Sequence, residues 1–262
     1  MPNETIGKTI AVAVGVCVVC SIFVSTTAVS LKPYIVRNKT IDKKRNILVA
    51  AAVPGADRLD SDGVEKGFGD EIVTMVIDIT TGEVAPDIDP MDLDERKAAK
   101  DPEQGVDIPA DKDIAGLRRR SRYQSVYRTK EGSSDPRIIL PVHGKGLWST
   151  MYGFVALDAN DLNTIKSFAF YEHGETPGLG GEVDNPNWKK LWVGKEAYGD
   201  TIGKPEIIVV KGTAPRDSRH EIDGLSGATL TANGVKRLVR FWLSDDGYGP
   251  FLKRMKGGDA NG

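Results

Sequence analysis

Residues 9–31 carry no charged side chain, and Lys8 and Lys32 bound the stretch. At 1.5 Å rise per residue a helix of that length reaches about 35 Å, enough to cross a hydrocarbon core of about 30 Å. The segment is rich in Val, Ile and Ala. β-Branched residues disfavour helix in water, but in lipid a spanning backbone has to satisfy its own N–H and C=O groups, which forces the helix. A cleaved signal peptide has a shorter apolar region, typically about 7–15 residues. Thr26 and Ala28 are small enough for a cleavage site, yet the length favours a retained anchor. Val19 is too bulky to precede a lipoprotein cysteine at Cys20.

The flanking charge bears on orientation. Lys32, Arg37, Lys39, Lys43, Lys44 and Arg45 follow the stretch, whereas only Lys8 and the amino terminus precede it. By the positive-inside rule the large domain would lie in the cytoplasm, although long domains translocate largely regardless of such charges. Over the whole chain, 35 Lys and Arg stand against 37 Asp and Glu. That balance lacks the basic excess needed for phosphate contacts, so no nucleic-acid partner is expected. Only two cysteines occur, Cys17 and Cys20. An iron–sulfur cluster takes four thiolates, and Ser21-Ile22 after Cys20 excludes haem attachment. No disulfide framework is expected; Cys17 and Cys20, three apart near one face of the anchor, read as small hydrophobes, the alternative being half of a metal site shared with another membrane subunit.

Beyond the anchor the pattern predicts one domain over 32–262, with a charged insertion at about 83–122 and a short tail at 1–8. A helix is expected over 41–53, with Ile41, Ile47, Leu48 and Ala51 as its apolar stripe. A strand follows over 71–80, then a turn at Thr81-Gly82. The insertion holds Pro86, Pro90, Pro102 and Pro109 and ends in Arg118-Arg119-Arg120. It reads as a solvated loop with a short helix around 92–100, because charge runs usually face solvent; a docking surface for partner subunits is the alternative. Strands are expected over 123–128, 138–142, 151–157 and 165–171, joined by turn-rich pieces without helices between them, which argues for antiparallel pairing. Helices are expected over 187–193, 231–243 and 251–256, with a strand over 206–210. The expected fold class is α+β: a mainly antiparallel sheet with flanking helices, preceded by one transmembrane helix.

Three glycine-rich stretches are the candidates for chemistry. In Asp223-Gly224-Leu225-Ser226-Gly227-Ala228-Thr229 small residues run into the predicted helix. A helix start exposes unpaired N–H groups and the positive end of the macrodipole, which suits a phosphate. The commoner use of such residues is an ordinary cap, from Thr229 or Thr231. The second stretch, Glu172-His173-Gly174-Glu175-Thr176-Pro177-Gly178-Leu179-Gly180-Gly181, follows a predicted strand. Its glycines permit close approach of a ligand, Glu175 and Thr176 offer polar handles, and His173 reads as a solvated loop residue or a base. The third is His143-Gly144-Lys145-Gly146-Leu147-Trp148, in which Trp148 stacks on an aromatic ligand or, the commoner fate of a tryptophan, fills the core. Gly144-Lys145 lacks the upstream glycine of a Walker loop, and Gly178-Leu179-Gly180 lacks the third glycine of a dinucleotide fingerprint, so no nicotinamide site is expected.

Gly144-Lys145-Gly146-Leu147-Trp148, Gly174-Glu175-Thr176-Pro177-Gly178-Leu179-Gly180 and Ser226-Gly227-Ala228-Thr229 together resemble the covalent FMN-binding domain family. Their order behind a single anchor and a long insertion looks like the C-subunit family of the bacterial sodium-translocating NADH:quinone reductases, over essentially the whole chain. The resemblance implies FMN joined through its phosphate to Thr229 by a separate flavin transferase that takes it from FAD, with Asp223 as the acidic residue of the recognition pattern. Ser226, Gly227 and Ala228 complete that motif. Glu175, Thr176, Leu179 and Gly180 would line the flavin with Trp148 close by, and Lys211 is a candidate neighbour of the phosphate or the ring. The resemblance further implies a bacterial inner-membrane protein with a periplasmic domain, against the charge count. Electrons would enter from NADH through other subunits and leave towards quinone, while sodium crosses through the membrane subunits. On that reading the chain needs no catalytic acid–base pair and is not catalytic alone. The related flavoprotein subunit of the ferredoxin:NAD reductase complex is the alternative within the class, and a cofactor-free membrane-tethered scaffold the alternative outside it.

Overall fold

The computed structural model describes residues 6–91 and 93–258. Of the tail expected at 1–8, residues 1–5 lie outside the described residues, as does Asp92 at the start of the helix expected around 92–100. The chain divides into two compact units, Met1–Lys43 and Lys44–Gly262.

The first unit is helical. Helix α1 spans Ile6–Ala50 and runs through Pro33, so the anchor and the helix expected separately over 41–53 are one element. Pro33 removes one backbone donor and its ring crowds the carbonyl of Val29, yet the helix continues across it. Every residue from Ile6 to Thr40 is exposed. The helix is long and apolar enough to cross a membrane.

The second unit takes in the end of α1, whose Ile47, Leu48 and Ala50 are buried. Ala52, at φ 58°, terminates the helix, with Val53 N–H returning to the Leu48 carbonyl at 3.0 Å. Helix α2 (Ser61–Glu71) is an addition to the elements expected from the sequence. Gly63, Gly67 and Gly69 lower its propensity, and it is held by an Asp60 cap that accepts from Gly63 N–H. Strands β1 (Ile72–Asp78) and β2 (Glu83–Val84) follow, then α3 (Glu95–Ala98), β3 (Gly105–Asp107), β4 (Arg119–Ser121), β5 (Tyr123–Thr129), β6 (Arg137–Lys145), β7 (Thr150–Asp158) and β8 (Ile165–Glu172). Helix α4 (Pro186–Lys190), β9 (Ile208–Val209), β10 (Glu221–Ile222), α5 (Thr229–Leu243) and α6 (Gly249–Gly257) complete the chain.

Six strands form one sheet in the order β2-β1-β5-β6-β7-β8, every pairing antiparallel. The expected α+β class with an antiparallel sheet is therefore what the structure has. Ile138, Ile139 and Leu140 of β6 and Phe154 to Leu157 of β7 are all essentially inaccessible. They read as continuous apolar runs because both sheet faces are covered. On one face α5 packs across β6, bringing Val235, Leu238 and Trp242 into the main core. On the other, Phe68 of α2 meets Tyr127, which meets Phe154, both edge to face. Trp242 Nε1 donates to the His143 carbonyl at 2.6 Å and the Tyr248 hydroxyl to Pro141 at 2.7 Å. These bonds fix the far end of α5 to β6 and so set where its N-terminus emerges.

The insertion is more ordered than a solvated loop. Asp94 caps α3 by accepting from Arg96 and Lys97 N–H, and the Arg96 guanidinium makes a paired contact to Glu172 while lying 3.5 Å over the Tyr152 ring. Arg119 donates to the carbonyls of Lys100, Asp101 and Gly105, and Ala115 is buried in the core. Charge here serves internal docking as well as solubility. The strand expected over 206–210 shrinks to β9, paired in parallel with β10, a link that no local pattern announces.

Candidate functional site

The three glycine-rich stretches meet around one carboxylate. Glu175 lies just past β8 and is only 4% exposed. Its Oε1 accepts from Trp148 N–H at 2.9 Å and Ser149 N–H at 3.3 Å, and its Oε2 from Leu147 N–H at 3.2 Å and the Thr231 hydroxyl at 2.6 Å. The first three donors belong to the β6–β7 loop and the fourth to the first turn of α5. Burial alone would raise the Glu175 carboxyl, but the Thr231 hydroxyl and the three N–H groups outweigh it and hold the group below its ordinary value. It is thus ionised at neutral pH. A further clasp runs from Gly174 N–H to Ser149 Oγ at 2.7 Å.

Two glycines are demanded by this arrangement. A Cβ on Gly180 would stand 2.5 Å from Thr231 Oγ1 and 2.9 Å from Glu175 Oε2, so the loop closes over the hydrogen bond only because the side chain is missing. Gly227 has φ +70°, a left-handed conformation that glycine adopts freely, and its Cβ position lies 3.3 Å from Leu179 Cδ2. That contact places the second stretch directly against the third.

Helix α5 starts without a side-chain cap: Ala228 is the cap residue and makes no side-chain bond. Thr231 is turned to Glu175 instead of the helix end, so neither threonine fills the capping role. The first hydrogen bond of the helix is Ala232 N–H to Ala228 O at 3.0 Å. The N–H groups of Thr229, Leu230 and Thr231 consequently have no acceptor within the helix. Ser226, Gly227 and Thr229 are exposed beside them and Ala228 is buried. A phosphate carried on the Thr229 hydroxyl would sit where those donors and the helix dipole favour negative charge.

Around this turn the surface is apolar. Trp148 is 71% exposed, Leu230 61%, and Leu147 and Leu179 close to half. Trp148 is therefore not a core residue: its backbone is gripped by Glu175 while the indole is left outside. Thr176 is exposed, and its carbonyl accepts from Leu179 and Gly181 N–H to close the loop. The uncapped helix start, the glycine cradle and the bare indole and leucine side chains suit a group with an anionic end and a flat apolar ring.

Other expected residues take supporting places. Asp223 Oδ1 accepts from Ala214 N–H at 2.8 Å and its carbonyl from Trp188 Nε1 at 2.9 Å, so it pins the 211–215 loop to the approach of α5. Lys211 is exposed in that loop, where Gly212 accepts from Gly224 N–H at 2.7 Å. His173 accepts from Glu175 N–H through Nδ1, which leaves Nε2 as the donor to Asp184 at 2.7 Å. It buttresses the loop. Thr231, Ser149 and Leu147 escape sequence reasoning as site residues, because each matters through Glu175, a partner distant in sequence. Among the described residues no cluster of three or more His, Cys, Asp or Glu is arranged to hold a metal.

Behind the site, the His143 ring stacks on Tyr152 at 5.4 Å and tilts against Trp242 at 4.8 Å. Burial, assisted by the Arg96 charge, pushes its pKa down to about 4. A folded pKa below the unfolded value of about 6.5 means that the unfolded chain binds the extra proton first. Stability is then full above about pH 6.5 and falls as pH drops towards 4, by up to about 3 kcal/mol. His143→Phe, which keeps a stacking ring, is expected to flatten that part of the stability–pH profile measured by urea unfolding.

Comparison with known proteins bears on the same residues. A family model described as an FMN-binding domain matches residues 146–244, from the β6–β7 loop to the end of α5. The C subunit of the Na(+)-translocating NADH-quinone reductase of Pseudomonas aeruginosa is 46% identical over 98% of this chain and 99% of its own length. That of Vibrio vulnificus is 47% identical over 99% of each. The crystal structure of Shewanella oneidensis NqrC superposes with a TM-score of 0.75 at 36% identity, covering 84% of this chain and 98% of that one. The corresponding reductase subunit from Parabacteroides distasonis gives 0.65 at 27% identity, over 85% and 96%.

Proposed function

This chain belongs to the C-subunit family of the Na(+)-translocating NADH-quinone reductases, and from that membership we propose how it works as a flavoprotein subunit of such an oxidoreductase. Residues 9–31 anchor it as a single span in the bacterial inner membrane, and the FMN-binding domain over 32–262 lies on the periplasmic side. FMN is held covalently, as a phosphoester on the Thr229 hydroxyl made by a flavin transferase that engages the Asp223 segment. The bound flavin supplies one- and two-electron redox chemistry between the neighbouring subunits of the complex.

The chain's own residues do the positioning. Backbone N–H groups at the start of α5 receive the phosphate, and Gly227 lets it approach. Trp148, Leu147, Leu179 and Leu230 offer the apolar surface for the ring. Glu175 holds both sides of the site at a fixed separation, with Thr176 and Gly180 shaping the loop above it. Lys211 stands as a candidate counter-charge near the phosphate. Covalent attachment keeps the cofactor from being lost outside the cytoplasm.

The observation that carries this reading is the uncapped start of α5, with Thr229 exposed between Gly227 and bare apolar side chains. Its test is reduction of the purified complex by NADH, following the flavin attached to this chain. Bleaching of that flavin within turnover, and its recovery on addition of quinone, is the expected result. A flavin that stays oxidised while the complex turns over would overturn the relay.

A further inference from the structure

Helix α5 presents a second feature beyond its N-terminus. An open groove of about 360 Å³ is lined by Asp113, Ile114, Lys236, Arg237 and Arg240. Among the described residues these three cations make no ion pair, whereas Arg96, Lys112, Arg119, Arg122, Lys166 and Lys253 each have a carboxylate partner. The acid at the groove, Asp113, is turned inward: one oxygen accepts from Leu117 N–H and the other from Arg118 N–H, both at 2.8 Å. It is engaged in shaping the loop. Ile114, 45% exposed, adds an apolar wall. The groove therefore sets three cations that make no ion pair against the one carboxylate of Asp113, beside an apolar contact, in a chain whose net charge is -2.

Helical geometry ties this groove to the proposed flavin site. At 3.6 residues per turn, Lys236 and Arg240 fall within about 20° of Thr229 around the axis and about 10 and 17 Å along it. Leu230 and Arg237 are related in the same way, seven residues apart. One continuous face of α5 thus begins in apolar residues around Thr229 and ends in unpaired cations.

We propose that an acidic surface segment of a neighbouring subunit docks in the Lys236–Arg237–Arg240 groove and so brings its own redox group alongside the flavin of this chain. A carboxylate-bearing segment fits better than a free anion, because the groove is open and one wall is apolar. The cations steer the encounter and set its orientation, and such steering raises association rates by about 10–1,000-fold at low ionic strength. The role as an electron-transfer contact rests on the function proposed above; the docking itself does not.

The test uses the whole complex. A carbodiimide couples a carboxylate to an amine in direct contact with it, so Lys236 reports its own neighbour. The expected result is an amide bond between Lys236 Nζ and an Asp or Glu of another subunit, mapped by peptide mass and absent in Lys236→Arg. The triple variant Lys236→Glu/Arg237→Glu/Arg240→Glu is expected to keep its covalent flavin but to slow reoxidation of that flavin roughly tenfold at low salt. A Lys236 that stays unlinked, or links only within its own chain, would overturn the proposal. So would a triple variant with an unchanged rate. A wild-type chain dark under flavin fluorescence after denaturation would instead defeat the flavin reading, and leaves the cross-link to be judged independently.

Discussion

Thr229→Ala is expected to give a chain that folds and assembles but shows no flavin fluorescence after denaturation and electrophoresis. The wild type co-expressed with the matching flavin transferase should give a bright band. The cause is local. Thr229 is the first residue of α5, is exposed, and its hydroxyl has no internal duty. Removing it costs little stability, since surface changes without partners usually fall within about 0.5 kcal/mol. Nothing else in the turn can replace it. Thr231 is fully committed to Glu175 and buried at 1% exposure, and Ser226 precedes the left-handed Gly227, outside the first turn of the helix. A Thr229→Ser variant, which keeps the hydroxyl, is expected to recover attachment in part, because the transferase still meets a nucleophilic oxygen in the same place.

Glu175→Ala is expected to be among the most destabilising single changes in the domain. It would strand the N–H groups of Leu147, Trp148 and Ser149 and the Thr231 hydroxyl around a small cavity. An unpaired buried polar group costs about 1–3 kcal/mol, so about 3 kcal/mol is expected, even with water entering to satisfy some of the donors. For a domain of this size that lowers the melting temperature by about 10 °C. The sign of the pH dependence follows from the depressed carboxyl. Its stabilisation is fully present above the ordinary value near 4.5 and is lost as pH falls through the lower, folded value. Glu175→Gln should therefore be less stable than wild type at pH 7, with the gap narrowing below pH 4.5. Differential scanning calorimetry across that range would read both. A gap that stays constant would mean that the carboxylate is not ionised in this network.

The parts of the molecule legible in sequence are those with local causes. The uncharged run 9–31, the apolar runs of β6 to β8, and the stripe Val235, Leu238, Val239 and Trp242 of α5 each carry their own signal. Helix α2 has no such signal: three glycines dilute it, and only Val64 is buried. The anchor and the helix expected from residue 41 are one element because α1 continues through Pro33, which nothing in the local pattern of 32–40 announces. In the site, the glycines and small residues are visible as a class, but their mutual arrangement is not. That Glu175 faces inward, that Trp148 faces outward, and that Thr231 is the partner all depend on residues 27 to 56 positions apart meeting across β6 to α5. The groove at Lys236, Arg237 and Arg240 is equally silent, since a charge on a helix becomes informative only once the acids near it are seen to be engaged elsewhere.

The most direct test of the covalent site is the mass of the tryptic peptide running from His220 to Lys236, isolated from the complex. If Thr229 carries the flavin, that peptide is heavier by FMN less one water, and fragmentation places the addition on Thr229. An unmodified peptide from a complex whose other flavins are intact would contradict the account.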